Sequence, residues 1–547
     1  MKTFLQVSFL FLIAVGSHAQ VPTILTQSEH YLPDYSYAGY HNGESPIPTV
    51  GPTVDGTFIN ASEAGVIPND GLDDSKAFLK VLSLAHQTEG PVIIQLPAGR
   101  IIVSEILYIE RSNLVLRGAG SGEGGTEIHC PRSMSYFENP PALAELREYL
   151  VALDKRQREP ENNIDLPFSQ YAWSGGVIWT RQPGVRTKAY LDKYDEPANV
   201  ITQLTAGKRG SHQVEVQSPN SVKVGDVVQL EWYNRDGAEG SLIKAIYGDA
   251  SLKIGSHHWN YPDHALIQQQ STITKVKGRK VEIKDPLLMD IKPEWTPTIV
   301  EWKHLEEVGI EHLRITFPIA PNIAHHIEEG YNGIYLTRLF NGWVRDVKIE
   351  NADSGILTEE TANVTIRDIE TSGEKVAHYS VSMSGVHNVL VENLLVKNVV
   401  RHPLSFNTFS TKSVYTGCKI EQSPILDQHS GANHQNLFDN VEVKVQLGEQ
   451  RSYPLFAGGG AGYWKPSHGS FTTFWNINVA FQNGFGSEEP VVLNGMTDGS
   501  NARLIGIHGN LPIQIDYAPN PIIENTNKRM DKIPSLYHYQ LKKRTTK

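Results

Sequence analysis

The sequence predicts an all-β fold in which the chain winds as a parallel β-helix, and three observations carry that expectation. Short strand–turn units recur in the second half of the chain: GIEHLRI (309–315), WVRDVKI (343–349), NVTIRDI (363–369), NVLVENL (388–394), SVYTGCKI (413–420) and NLFDNVEV (436–443). Aligned on Val344, Val364, Val389, Val414 and Leu437, they are spaced by 20, 25, 25 and 23 residues. Repeats of this size mark solenoids, in which each coil buries a face against its neighbours. The V-x-V alternation inside the units has the period of two that sends Val and Ile to one side of a strand. Asn and Gly at the unit ends suit turns that need left-handed backbone and side-chain hydrogen bonds. A β-sandwich also has short strands, but it does not favour a repeat of this length.

The elements follow in chain order. Residues 1–19 read as a secretory signal peptide: Lys2, an apolar run from Val7 to Val15, then Gly16, Ser17 and Ala19, with cleavage after Ala19. That run is well short of the ~20 residues a span needs, and no other segment is apolar enough. The expectation is a secreted or periplasmic protein with no membrane span. Residues 20–60, rich in Pro, Tyr, Gly and His, read as an extended N-terminal arm laid over a larger body. In the next block, 61–204, Asn69-Asp70-Gly71 is a turn signal and Asp73 or Asp74 can cap a helix whose apolar face is Ala77, Phe78, Val81, Leu82, Leu84 and Ala85. PVIIQLPAG, RIIVSEILYIE and NLVLRGAG follow as short strands, and residues 131–200, with PALAELREYLVALDKRQREPENN, as a partly helical excursion that either decorates the solenoid or covers a substrate. From 205 to 293 the repeat is interrupted by segments that alternate like antiparallel hairpins, which predicts an inserted β subdomain, either decorating the solenoid or covering a substrate. The main coils take 294–520. Residues 521–547 form a basic C-terminal tail; its last twenty residues carry a local charge of +6, and Leu536, Tyr537, Tyr539 and Leu541 are expected to pack back on the body.

The run from the helix start GVIPNDGLDDSKAF through QLPAGR to NLVLRGAGSG, roughly residues 60 to 130, resembles the beginning of the pectate-lyase-like superfamily of right-handed β-helices. The resemblance implies a right-handed coil and an N-terminal helix that caps its open end. It also implies a carbohydrate-active enzyme, since many relatives cleave uronate-containing polysaccharides by β-elimination. The partner so implied is an anionic polysaccharide or oligosaccharide.

Composition narrows the field. With 49 basic and 60 acidic residues the chain carries −11, which disfavours a nucleic-acid partner, because phosphate binding needs a basic field. Its 2 cysteines exclude a disulfide-stapled scaffold and a Cys-rich zinc module. A polyanion would have to be held by local cations against the global field.

Five polar groups stand out: His325-His326-Ile327-Glu328-Glu329; His378-Tyr379; Arg401-His402; the run Asp427 to Gln435; and the Gly-rich stretch Gly458 to His468. His378, His402 and Asp427 lie 10 to 12 residues before Val389, Val414 and Leu437, which puts them on one side of consecutive coils. Elimination from a uronate needs a clamp for the carboxylate, a base for the C5 proton and an acid for the departing oxygen. Arg401 and Lys465 are the candidate clamp. His402, His429 and His434 are candidates for base and acid, with Asp427 orienting a histidine and Tyr463 or Tyr379 as alternative acids. His378, Tyr379 and Trp464 are candidate substrate contacts, Trp464 by stacking on a sugar ring.

His325-His326 with Glu328-Glu329 could form a metal cluster, but neighbours on an extended chain face opposite ways, so no metal is assigned. Asp346, Asp353, Glu359, Glu360, Asp368 and Glu370 do not repeat at one offset, so no calcium cage is read and no cofactor is assigned, with calcium left open. The WxDH motif of the best-known pectate lyases is absent; Leu426-Asp427-Gln428-His429 is a faint echo, which turns the expected substrate from pectate toward alginate-like, ulvan-like and other uronate glycans. The leading reading is a carbon–oxygen lyase, either a chain-cleaving polysaccharide lyase or a dehydratase expelling water at a terminal uronate. A glycoside hydrolase, which needs two or three carboxylates about the scissile bond, is second. A non-catalytic glycan-binding β-helix is third.

Overall fold

The structure is a computed structural model, and it describes residues 21–27, 30–48, 56–138, 169, 171–185, 198–248, 252–255, 262–321, 324–460, 465–467 and 469–546. The signal peptide and most of the expected helical excursion lie outside these residues. Among the described residues the chain forms a parallel β-helix. One long sheet stacks Thr57–Asn60, Val92–Gln95, Leu114–Arg117, Val308–Thr316, Trp343–Glu350, Thr365–Ser372, Leu390–Val396, Val414–Thr416, Leu437–Asp439, Thr473–Trp475, Arg503–Ile505 and Ile522–Glu524, each parallel to the last.

The rod is held by a ladder of inward side chains. Ile94, Leu116, Ile310, Val344, Ile366, Val391, Tyr415, Phe438, Phe474 and Leu504 are paired in register, coil on coil, and all are fully buried in one cluster. Each such burial stabilises by about 1.5–3 kcal/mol. The aromatic end adds stacking, with the Tyr415, Phe438 and Phe474 rings nearly parallel and their centroids 5.8 and 5.2 Å apart. This register corrects the sequence alignment. Ile366, not Val364, lies beside Val344, and Val414 and Leu437 face outward. The reason is that the N-terminal arm (Tyr35, Ala38) and the C-terminal segment (Met530, Ile533, Leu536, Tyr537) cover that outer face as a second apolar cluster. A strand buried on both sides does not show by alternation which side is the core. Asn does hold left-handed corners at coil after coil, as at Asn341, Asn363 and Asn388 (φ 51°, 53° and 55°).

A helix at Ser75–Gln87 closes the first coils, burying Phe78, Val81, Leu82 and Ala85. Asp73 accepts the Ser75 N–H at 2.8 Å, while Asp74 turns back to Ile67. Leu84, expected on the apolar face, is 42% exposed; at 3.6 residues per turn it stands about 110° from the buried stripe. The basic tail forms a helix at Leu536–Thr545. Leu536 and Tyr537 are buried but Tyr539 is 37% exposed, and Arg544 lies 4.0 Å over the Tyr37 ring of the arm.

Between Val200 and Glu301 the chain leaves the rod to form a closed barrel of six antiparallel-paired strands with its own core around Leu230, Trp232, Ile273 and Ile299. The barrel is pinned to the later coils. Asp285 meets His387 Nε2 at 2.8 Å, and the His387 Nδ1 meets Thr411 Oγ1 at 2.8 Å. Burial works to raise the Asp285 carboxyl, but His387, Ser271 and Gln269 together hold it below the usual range. Tyr247 Oη accepts the Ala432 N–H at 2.8 Å, and Ser470 donates to the Ile246 carbonyl at 2.6 Å. Among the described residues no helix is long and apolar enough to cross a membrane.

Candidate functional site

The second sheet of the rod builds the site. It runs Leu107–Ile109, Ile178–Thr180, Asn332–Thr337, Ser354–Glu359, Ala377–Met383, Val400–Phe406, Leu426–His429 and Gly458–Gly459. Its inward ladder is Leu107, Ile178, Ile334, Ile356, Val381, Leu404 and Leu426, all fully buried. Pleating therefore turns the adjacent row outward: Tyr108, Trp179, Tyr335, Leu357, Ser382, Ser405 and Asp427, again in register. One face thus passes from aromatic to hydroxylic to ionic over successive coils.

Asp427 is the electrostatic centre. Its Oδ2 accepts from Ser405 Oγ at 2.6 Å and pairs with His429 Nδ1 at 3.1 Å, while Oδ1 accepts the Gly459 N–H at 3.1 Å. His402 Nδ1 also lies 3.1 Å from Oδ2, but off the hydrogen-bonding angle. Burial works to raise this carboxyl; His402 and His429 hold it far below the usual range, so Asp427 is an anion. Burial pulls the His429 imidazole below its ordinary value, partly offset by Asp427. A neutral ring with its proton on Nδ1, toward Asp427, leaves Nε2 as a base. Gly459 makes this fit possible, since a Cβ there would collide with the His429 ring.

Five imidazoles form one continuous cluster. Ring centroids are 3.8 Å apart for His325–His326, 4.6 Å for His325–His378, 5.4 Å for His378–His402 and 4.7 Å for His402–His429. Burial, reinforced by the neighbouring rings, pushes His325 and His378 far down, and burial lowers His326 to about 4. Glu328, whose Oε1 is 3.2 Å from His378 Nδ1, is pushed up by burial to about 7. Two groups of three have donor atoms close enough to hold a metal: His325, His326 and His378, and His402, Asp427 and His429. Both sets are nitrogen-rich and suit metals that favour imidazole; calcium takes oxygen ligands.

The structure brings together His378, Tyr379, Arg401, His402, Asp427 and His429, though not by the equal offsets read from the sequence. Tyr379, not His378, is in register with His402, and Asp427 is in register with Ser405; its carboxylate contacts His402 across the row. Tyr379 stacks on His378 at 4.2 Å, and its Oη accepts from Asn407 at 3.2 Å. Arg401 is half-buried beside the histidines and adds to their depressed basicity. Lys465 Nζ bonds Ser467 Oγ at 2.5 Å, and its carbonyl accepts from Gly255 of the insert at 2.7 Å. His434 is a correction. It belongs to the turn ladder Phe340–Ala362–His387–Thr411–His434, is fully buried toward Lys412 and Arg209, and is lowered by burial to about 4. Five residues beyond His429, the chain has turned the corner onto that ladder. Tyr463 and Trp464 lie outside the described residues.

Sequence reasoning missed that His325 and His326 converge. His326 has a left-handed backbone, φ 73°, at a turn, so the two neighbours point the same way rather than apart. The HHIEEG run was the available signal.

No protein-family model and no curated protein matches the chain. Among solved structures it is similar to the tailspike protein gp49 from Pseudomonas phage LKA1, with 12% identity, TM-score 0.46, and 85% of this chain and 80% of that one covered. It is similar to DFA-IIIase from Arthrobacter chlorophenolicus A6 without its lid (10% identity, TM-score 0.37, 85% and 92% covered). It is also similar to the mannuronan C-5 epimerase AlgE6 A-module of Azotobacter vinelandii (12%, 0.35, 86% and 98%). Likeness at this level carries no argument about what this chain does.

Proposed function

We propose that the chain is a secreted or periplasmic carbon–oxygen lyase that acts by β-elimination on a uronate-containing anionic poly- or oligosaccharide, of the alginate-like or ulvan-like kind. The observation that carries the reading is the Asp427–His429 pair: an anion fixed by Ser405 and Gly459 holds a neutral imidazole by Nδ1. His429 Nε2 takes the C5 proton, the C–H electrons form the C4–C5 double bond, and the C4–O bond breaks. His402 gives a proton to the departing oxygen. Arg401 and Lys465 hold the uronate carboxylate, stabilising the enolate-like state against the chain's overall negative charge. The half-buried Tyr108 and Trp179, in register on that row and backed by the fully buried Tyr335, offer apolar ring faces to further sugars. The resemblance of residues 60–130 to pectate-lyase-like proteins supports the same class.

A panel of alginate, ulvan and other uronate glycans, with their oligosaccharides, tests the reading by absorbance of the unsaturated uronate. Mass spectrometry then names the leaving group: two fragments from a chain-cleaving lyase, or one product lighter by a water from a dehydratase. Reducing ends released without the absorbance would instead identify a hydrolase, and binding with no product would identify a glycan-binding rod.

A further inference from the structure

We propose that His325, His326 and His378 bind one divalent transition-metal ion of the zinc class, through three imidazole nitrogens, leaving a coordination position for a ligand oxygen. Four observations support it. The donor atoms of the three rings all lie within 4.8 Å of one another. His325 Nε2 and His378 Nε2 face each other at 3.2 Å; ligands at ~2.0–2.1 Å in a tetrahedron stand about 3.3 Å apart along its edge. Glu328 Oε1 lies 3.2 Å from His378 Nδ1. That contact is in ion-pair range but off the hydrogen-bonding angle; it places a carboxyl group behind the ring, where it can hold Nδ1–H and keep Nε2 toward the ion once the ring turns to coordinate. Finally, two consecutive histidines converge only because His326 takes a left-handed backbone (φ 73°), a conformation uncommon outside glycine that concentrates at functional sites.

The neighbouring triplet is the less suitable one. Asp427 Oδ2 already takes the Ser405 hydroxyl and faces Nδ1 of His429 and of His402, so the nitrogens nearest that oxygen are on the side that pairs with the anion. The all-imidazole set suits zinc, cobalt, nickel or copper over magnesium or calcium, which take oxygen ligands. His325 and His326 are half-buried, not sealed, so an ion there can accept an oxygen from outside. That this oxygen is a sugar carboxylate rests on the lyase reading; the binding itself does not.

The test uses the tag-free full chain, stripped with a chelator and titrated with Co2+ for its tetrahedral visible spectrum and with Zn2+ by calorimetry. The expected result is one equivalent bound. His378→Gln and His326→Gln should each weaken binding by at least about 100-fold, and Glu328→Gln by about 10–100-fold, while Asp427→Asn keeps the wild-type affinity. His326 is half-buried, so its variant remains informative if His378→Gln fails to fold, which circular dichroism checks. No stoichiometric uptake overturns the proposal. So does uptake that survives His326→Gln at full affinity, or that is lost in Asp427→Asn and kept in the histidine variants. Uptake as expected without any lyase activity would leave the site standing and remove only the proposed reaction.

Discussion

Asp427→Asn is the sharpest test of the proposed chemistry, because it removes one charge and almost no volume. The carboxylate accepts from Ser405, Gly459 and His429 at 2.6, 3.1 and 3.1 Å. A hydrogen bond to a charged group is worth about 1.5–3 kcal/mol. Losing that amount only where the His429 imidazolium forms in the transition state slows turnover roughly 10–150-fold. The amide can also turn its NH2 toward His429 and favour the wrong tautomer, which forfeits the base altogether, a contribution of about 10²–10⁴. The expected outcome is therefore a kcat lower by about 10²–10⁴ with KM changed little. The pH profile gives an independent sign. Burial lowers His429 and Asp427 partly restores it, so removing the anion lowers it further. A neutral base is lost as pH falls through its pKa; the acid limb of kcat/KM should thus move to lower pH in the variant. Initial rates of unsaturated-product formation across pH 4–8 read both effects. Turnover within about threefold of wild type, or a limb that stays put or moves up, would sink the assignment of His429 as base.

Other outcomes follow from the same geometry. Gly459→Ala places a methyl group against the His429 ring; kcat should fall by about 10²-fold or more with unchanged circular dichroism. His434 is fully buried and lowered from 6.5 to about 4. Its unfolded form takes a proton near pH 6.5 while the folded form does not, so it removes about 3 kcal/mol of stability between pH 6.5 and 4. His434→Asn should flatten that part of the stability profile in urea melts at pH 7 and 4.5. Asp285→Ala leaves His387 without its buried partner and should cost about 3–5 kcal/mol, read by denaturant unfolding. Arg401→Gln should raise KM for uronate substrates, and the effect should shrink on a carboxyl-reduced glycan.

The coils were legible because a solenoid repeats its physics: each unit needs apolar residues at alternate positions and a corner that tolerates positive φ. Their register was less so. Val414 and Leu437 look like core, yet they face the arm and tail, whose burial no local pattern announces. The Asp427–His429 pair could be found because both partners sit on one strand, two residues apart and on the same side. The His325–His326 convergence was hidden, since it depends on one left-handed residue, and left-handed histidine has no sequence signature. Leu84 and His434 were misplaced for a shared reason: proximity along the chain was taken for proximity in space, around a helix in one case and across a coil corner in the other.

The barrel inserted between early and late coils bears on how the molecule reaches its native state. A plain solenoid grows by nearest-neighbour contacts, so its folding can start anywhere and spread. Here the coils that hold the site are also tied to a unit made much earlier: Asp285 to His387, Tyr247 to Ala432 and Ile246 to Ser470, at separations of 102, 185 and 224 residues. Such long-range closures slow folding. They also make the barrel a docking template for coils that emerge after it. Chains truncated before residue 387 should leave a folded barrel with its docking face uncovered, so the site end of the rod is the last part of the molecule to become cooperative.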